Sequence, residues 1–140
     1  MVMKIVYTGG TFDMLHEGHI NLLKRCKELG RVVVALNTDE FAAQYKRTPV
    51  IPYEQRRQML LATQYVDVVV KNAGGKDSGA ALDVVCPDVY VHGDDWTGKS
   101  LIQQLGIPND YFDKYGIWEV YIPYTKGIST SEILERVKSL

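Results

Sequence analysis

One run constrains this chain more than any other: Arg31-Val32-Val33-Val34-Ala35-Leu36-Asn37 is almost continuously apolar. A strand with one wet face alternates apolar and polar residues, so a run without alternation marks a parallel strand covered by helices on both sides. Similar β-rich runs recur at 4–8, 66–70, 88–92 and 118–122. Between them lie helical patterns. Residues 18–29 carry Ile20, Leu22, Leu23, Cys26 and Leu29 near the 3.6 spacing, closed by Gly30. A short helix over 38–45 opens on Thr38 or Asp39 as a cap. The spacing predicts further helices over 53–65, with Met59, Leu60, Ala62 and Thr63 inward, over 78–85, and over 129–140. One or two short helices are expected within 99–115, broken at Gly106-Ile107-Pro108, and loops at 46–52 and 72–78. Five strands separated by helices predict an α/β, doubly wound parallel sheet with right-handed crossovers. Such sheets bind ligands beyond the carboxyl ends of their strands, where strand order reverses. The chemistry is therefore expected just after strands one, four and five.

Composition sets the scale. With 140 residues, 46% hydrophobic and 24% charged, the chain is expected to form one domain over residues 1–140. A chain of this size buries roughly 68% of its unfolded surface, enough for a core without staples. Sixteen Lys and Arg against seventeen Asp and Glu leave a net charge of −1, which removes the global basic field of a nucleic-acid or membrane-surface protein. Nothing approaches the ~18 apolar residues of a membrane span. Residues 1–6 read as the start of a strand rather than a leader. Cys26 and Cys86 have no metal spacing and are expected to be reduced, buried thiols of a cytoplasmic protein.

After the first strand comes Gly9-Gly10-Thr11-Phe12-Asp13-Met14-Leu15-His16-Glu17-Gly18-His19. Backbone N–H groups at a helix N-terminus attract anions, and Gly18 would let a phosphate approach them. His16 and His19, three apart on that first turn, can both donate to one phosphate. The bland alternative is a glycine turn with two surface histidines. Gly93-Asp94-Asp95-Trp96 follows the fourth strand, and Ser129-Thr130-Ser131-Glu132 opens the last helix. The first reads either as a ligand-binding turn or as solvated aspartates. In the second, Ser129 with Glu132 matches a capping box, which does not exclude phosphate binding at the same N-terminus.

The stretch GTFDMLHEGH resembles the HxGH motif of the cytidylyltransferase-type nucleotidyltransferases. Ile51-Pro52-Tyr53-Glu54-Gln55-Arg56-Arg57 is similar to that family's YExR segment, Gly93-Asp94-Asp95-Trp96 to its GDDW segment, and Gly127-Ile128-Ser129-Thr130-Ser131 to its RTxGIST segment. The resemblance implies a Rossmann-like fold with strand order 3-2-1-4-5. It implies transfer of a nucleotidyl group from CTP, accompanied by Mg²⁺, to a small phosphorylated alcohol, with glycerol 3-phosphate as the default acceptor. It also implies a homodimer. Carried onto this chain, it makes His16, His19 and Arg56 catalytic, with Arg56 contacting phosphates. It assigns Gly10, Thr11, Phe12, Gly18, Gly93, Asp94, Gly127, Ile128, Ser129 and Thr130 to the nucleotide, and Lys46 and Lys76 to the acceptor. Asp13 and Asp94 are candidate supporting carboxylates, and His92 is expected to pack or line the site. An ATP-using adenylyltransferase of the same fold and a non-catalytic nucleotide-binding domain are the alternatives.

Two departures stand out. Tyr124, in Pro123-Tyr124-Thr125-Lys126-Gly127, stands where the family commonly has arginine. Tyrosine cannot imitate a guanidinium fork on phosphate, although Lys126 brings a cation two positions later. The segment 98–116 is longer than the glycerol-3-phosphate enzymes lead one to expect, and could reshape the acceptor pocket.

Overall fold

The computed structural model of the chain describes residues 3–93 and 99–140, without the side chains of residues 76, 77, 99, 100 and 104. Its elements run β1 (Ile5–Gly10), α1 (Glu17–Leu29), β2 (Arg31–Asn37), α2 (Asp39–Tyr45), α3 (Tyr53–Ala62), β3 (Val68–Asn72), α4 (Lys76–Val85), β4 (Val89–His92), α5 (Lys99–Leu105), α6 (Tyr111–Lys114), β5 (Trp118–Tyr121) and α7 (Thr130–Lys138). All strand pairings are parallel, in the order β3-β2-β1-β4-β5. The order reverses at β1, whose Tyr7 lies opposite Val33 of β2 on one side and Tyr90 of β4 on the other.

The continuous apolar run of β2 has the expected cause. Val32, Val34 and Leu36 point to one face, packing with Val6, Leu23, Cys26, Leu60 and Val91. Val33 and Ala35 point to the other, packing with Tyr7, Leu82, Tyr90, Leu101, Leu105, Tyr111 and Phe112. The period of two sends alternate residues to opposite faces, and both are covered, so every position between Arg31 and Asn37 is apolar. The longer 98–116 segment contributes to the second face. Tyr111 and Phe112 of α6 join its core, and the Tyr111 hydroxyl donates to Asp83 on α4.

Several boundaries differ from the sequence expectation. Helix α3 stops at Ala62, where Thr63 Oγ1 donates to the Leu60 carbonyl and Gln64 takes a left-handed φ of 68°. Strand β3 consequently starts at Val68 and runs on to Asn72, which is not a loop residue. The inward face of α3 is Arg56 and Leu60, four apart, while Met59 is 54% exposed and Ala62 also faces out. Cys26 is buried, but Cys86 is exposed, because it ends α4 in the left-handed conformation that a helix C-terminus favours. Among the described residues no helix is long and apolar enough to cross a membrane.

Candidate active site

A cavity of about 1060 Å³ opens at the carboxyl ends of the strands. It is walled by Gly10, Thr11 and Phe12 after β1, by His16, Gly18 and His19 at the start of α1, by Lys46 after α2, by Gly93 after β4, and by Ile128, Ser129 and Thr130 at the start of α7. Residues from three separate motifs thus meet in one crevice at the strand-order reversal. Asp94 lies outside the described residues. Lys76 begins α4, but its side chain lies outside them as well. Gly127, with φ 81°, and Lys126 are exposed and do not line the cavity.

The two histidines are held by the backbone of their own helix. His16 is the N-cap of α1, and its Nδ1 accepts the Gly18 N–H at 3.1 Å. His19 Nδ1 in turn accepts the His16 N–H at 3.3 Å. This is a capping box in which two imidazoles replace the usual hydroxyl and carboxylate. An Nδ1 that accepts an N–H bond cannot carry a proton, so each neutral ring must carry its proton on Nε2. The rings stack with centroids 3.8 Å apart. Burial disfavours the imidazolium of both, lowering the His16 pKa. That of His19 falls to about 3, with neighbouring His16 adding to the effect of burial and Asp13 opposing it. The result is a pair of neutral Nε2–H donors of fixed tautomer. Gly18 makes the stacking possible, since a Cβ there would come within 2.9 Å of His16 Cε1.

The second helix N-terminus is tied to the first. Ser129 caps α7 by accepting the Glu132 N–H, as the capping box predicts. Thr130 Oγ1 donates to the Asp13 carbonyl, and Asn21 Nδ2 on α1 donates to Thr125 Oγ1. The positive ends of two helix dipoles therefore border one cavity, an arrangement that favours a multiply charged anion.

Asp13 shapes the loop between them. Its carboxylate accepts the N–H groups of Val50 and Ile51 and a bond from Arg47 Nη1 at 2.9 Å. Burial raises a carboxyl pKa, but these three donors outweigh it and hold Asp13 below its ordinary value. The clamp stabilises a strained segment, since Phe12 and Met14 on either side adopt φ of 49° and 50°. Such left-handed positions cost ordinary residues on the order of 1–2 kcal/mol each and persist only where surrounding contacts fix them.

Arg56 does not do what its motif suggested. It is 1% exposed and absent from the cavity wall. Its Nε donates to the Ile51 carbonyl, its Nη1 to the carbonyls of Thr11 and Asn37, and its Nη2 to Asp39 at 2.6 Å. Four of its five N–H groups are thus engaged inside the protein, in a side chain enclosed away from the cavity. It ties the chain after β1 to the end of β2 and to the start of α2. The cations that do border the cavity are Lys24 and Arg25 on α1, with Lys46 and Arg47.

The motifs also passed over a whole wall. Asn37 and Tyr45, at the ends of β2 and α2, and Asn72 and Ser78, at the end of β3 and within α4, line the cavity too. The signal was present: two valine-rich strands, RVVVALN and VVVKN, each end on an asparagine that is buried. Of the departures, Tyr124 packs on Gly93, where a Cβ would lie only 2.6 Å from its Cε1, and both line the cavity. Leu101 and Leu105 of α5 line it as well, so the long 98–116 segment does reach the site. His92 is a buried wall residue packed edge-on against Tyr121.

Known proteins agree with this geometry. The cytidylyltransferase-like family model matches residues 7–136. The chain is 41% identical to the glycerol-3-phosphate cytidylyltransferase of Bacillus subtilis (strain 168), over 99% of this chain and 100% of that one. It is 38% identical to the same-named protein of Staphylococcus aureus (strain NCTC 8325 / PS 47), over 96% of each chain. Among solved structures, a lipopolysaccharide core biosynthesis protein from Thermoplasma volcanium GSS1 superposes with a TM-score of 0.71 at 26% identity, over 91% of this chain and 100% of that one. With two helix N-termini and a histidine pair converging on one crevice of a 3-2-1-4-5 sheet, the chain belongs to the cytidylyltransferase-like family of nucleotidyltransferases.

Proposed function

We propose that this chain transfers the cytidylyl group of CTP to the phosphate of glycerol 3-phosphate, giving a CDP-alcohol and pyrophosphate. An acceptor phosphate oxygen attacks the α-phosphorus in line. The bond from that phosphorus to the bridging oxygen breaks, and its electron pair leaves with pyrophosphate. The attacking oxygen is already anionic, so no general base is required. The protein's work is positioning and charge stabilisation. The single observation that carries the reading is the histidine capping box, which aims two neutral Nε2–H donors from the helix start that borders the cavity. These donors, with the N-termini of α1 and α7, offset charge on the α-phosphate and on the departing pyrophosphate. Lys46 is placed to attract the acceptor phosphate.

Mg²⁺ belongs to the proposal as a companion of the triphosphate, whose charge it would offset. Among the described residues no group of three or more His, Cys, Asp or Glu side chains is placed to hold a metal. A homodimer is also part of the reading. It is supported by exposed apolar residues at one edge of the sheet, Val68 on the edge strand β3 and the 84% exposed Val84 on α4. Sedimentation analysis is expected to give the mass of two chains, and one chain would overturn this. The two free thiols fit the reducing cytoplasm.

The decisive experiment is a pyrophosphate-release matrix of CTP, ATP, GTP and UTP against phosphorylated alcohols and sugars. CTP with glycerol 3-phosphate is the expected pair. Turnover with ATP alone would make the chain an adenylyltransferase, and release from no pair would make it a nucleotide-binding domain.

A further inference from the structure

The wall at the ends of β2 and β3 is a directed chain of hydrogen bonds. Asn72 Oδ1 accepts the Gly74 N–H at 3.0 Å and the Ser78 hydroxyl at 2.7 Å. A backbone N–H can only donate, so this fixes the amide and turns Asn72 Nδ2 towards Asn37 Oδ1, 3.1 Å away. Asn37 is fixed in turn, and its Nδ2 donates to the Tyr45 hydroxyl at 2.8 Å and to Thr11 Oγ1 at 3.0 Å. Both amide protons of Asn37 are then spent, and each hydroxyl has accepted one. The two hydroxyls lie 3.2 Å apart, so one donates to the other and a single O–H proton is left over from the network, on Tyr45 when Thr11 is the donor and on Thr11 when Tyr45 is. Asn37, Asn72 and Ser78 are buried, whereas Tyr45 is 45% exposed and lines the cavity.

Resting on the cytidylyl-transfer reading, we propose that Tyr45 is the residue that selects the acceptor, donating its hydroxyl proton to an oxygen on the acceptor's carbon chain, so that the acceptor is a polyol phosphate rather than an amino-alcohol phosphate. Amides and hydroxyls do not ionise near neutral pH, so this wall places no opposite formal charge against a cationic head. Among the described residues, the carboxylates closest to this wall are engaged, Asp13 by Arg47 and Asp39 by Arg56, while Glu28 borders the cavity from α1. Lys46 and Arg47 border the same cavity and repel an ammonium group while attracting the phosphate. Asn37, Asn72 and Ser78 are positioning residues that aim the Tyr45 donor.

Steady-state kinetics on the full chain tests this. Tyr45→Phe keeps the ring on an exposed position and removes only the donor. The KM for glycerol 3-phosphate is expected to rise ~10-fold, with the KM for CTP within about twofold of the parent. Ser78→Ala, at the far end of the network, is expected to raise the same KM by roughly threefold and again spare CTP. With the parent enzyme, glycerol 3-phosphate and erythritol 4-phosphate should exceed phosphocholine and phosphoethanolamine by ~100-fold or more in kcat/KM. The proposal is overturned if an amino-alcohol phosphate competes within tenfold, if Tyr45→Phe leaves the acceptor KM unchanged, or if it raises both KM values equally. No CTP turnover with any acceptor would instead overturn the parent reading.

Discussion

The two ends of the cavity orient their donors by different means. At the α1 end, His16 and His19 are fixed by N–H groups two and three residues away, within a single turn of helix. At the β2–β3 end, the Tyr45 hydroxyl is fixed by Asn37, then by Asn72 from 35 residues further on, then by Ser78. The first device is local and compact enough to be written as a motif. The second exists only when β2 and β3 lie side by side. Local fixation tolerates changes elsewhere in the fold, while a relay across the sheet transmits any shift of β2 against β3 to the Tyr45 proton. In the proposed reading the chemical step falls to the local end and acceptor choice to the relay.

The largest expected effect breaks the robust end. His16→Ala or His19→Ala should each lower kcat by ~100-fold or more, since each removes a donor aimed at developing charge. Near-normal turnover in both single variants, with native circular dichroism, would remove the histidines from the chemistry. Arg56→Ala comes next and acts on stability. It leaves the Thr11, Asn37 and Ile51 carbonyls and Asp39 without their donor. A loss of about 3 kcal/mol is expected, read from the urea midpoint at constant m-value. A phosphate-contacting Arg56 would instead leave the midpoint in place and raise the KM for CTP. Leu101→Ala should cost about 2 kcal/mol, because Leu101 is 2% exposed in the core of the α4–α6 face. It should also enlarge the acceptor end, sharpening the contrast if the CTP kinetics stay unchanged.

The last effect is one of pH, and it is absent at neutrality. The His19 pKa is about 3 in the fold and 6.5 when free, so between these values the unfolded chain binds the extra proton. Stability is therefore complete above pH 6.5 and falls as the pH drops towards 3. His19→Gln, which cannot take up that proton, should flatten this acid limb in a series of urea titrations. An unchanged acid limb would place the destabilising proton elsewhere.

The α1 end was legible because its chemistry lies within four consecutive residues, and the β2 run was legible because a period of two buried on both faces leaves no polar position. Arg56 was misread for an instructive reason. Its motif resemblance places it near the site, and it is near, but sequence does not say whether a guanidinium points into a cavity or is enclosed by carbonyls. Met59 was misread similarly. An apolar residue beside Leu60 suggests an inward face, yet the inward neighbour one turn away is the arginine.

By itself, then, the sequence determined the parallel α/β architecture, the strand order carried by its motifs, and the histidine pair at a helix start. The architecture and the histidine pair depend on contacts between residues near in the chain or on a repeating pattern of burial, whereas the strand order was implied by the family resemblance of the motifs. Only the tertiary structure decided that Arg56 is enclosed, that Asn37 and Asn72 face each other, and that Tyr45 receives their orientation. Those outcomes depend on which polar atoms come within about 3 Å across neighbouring strands, and hydrogen bonding at that range is set by register and packing rather than by local propensity.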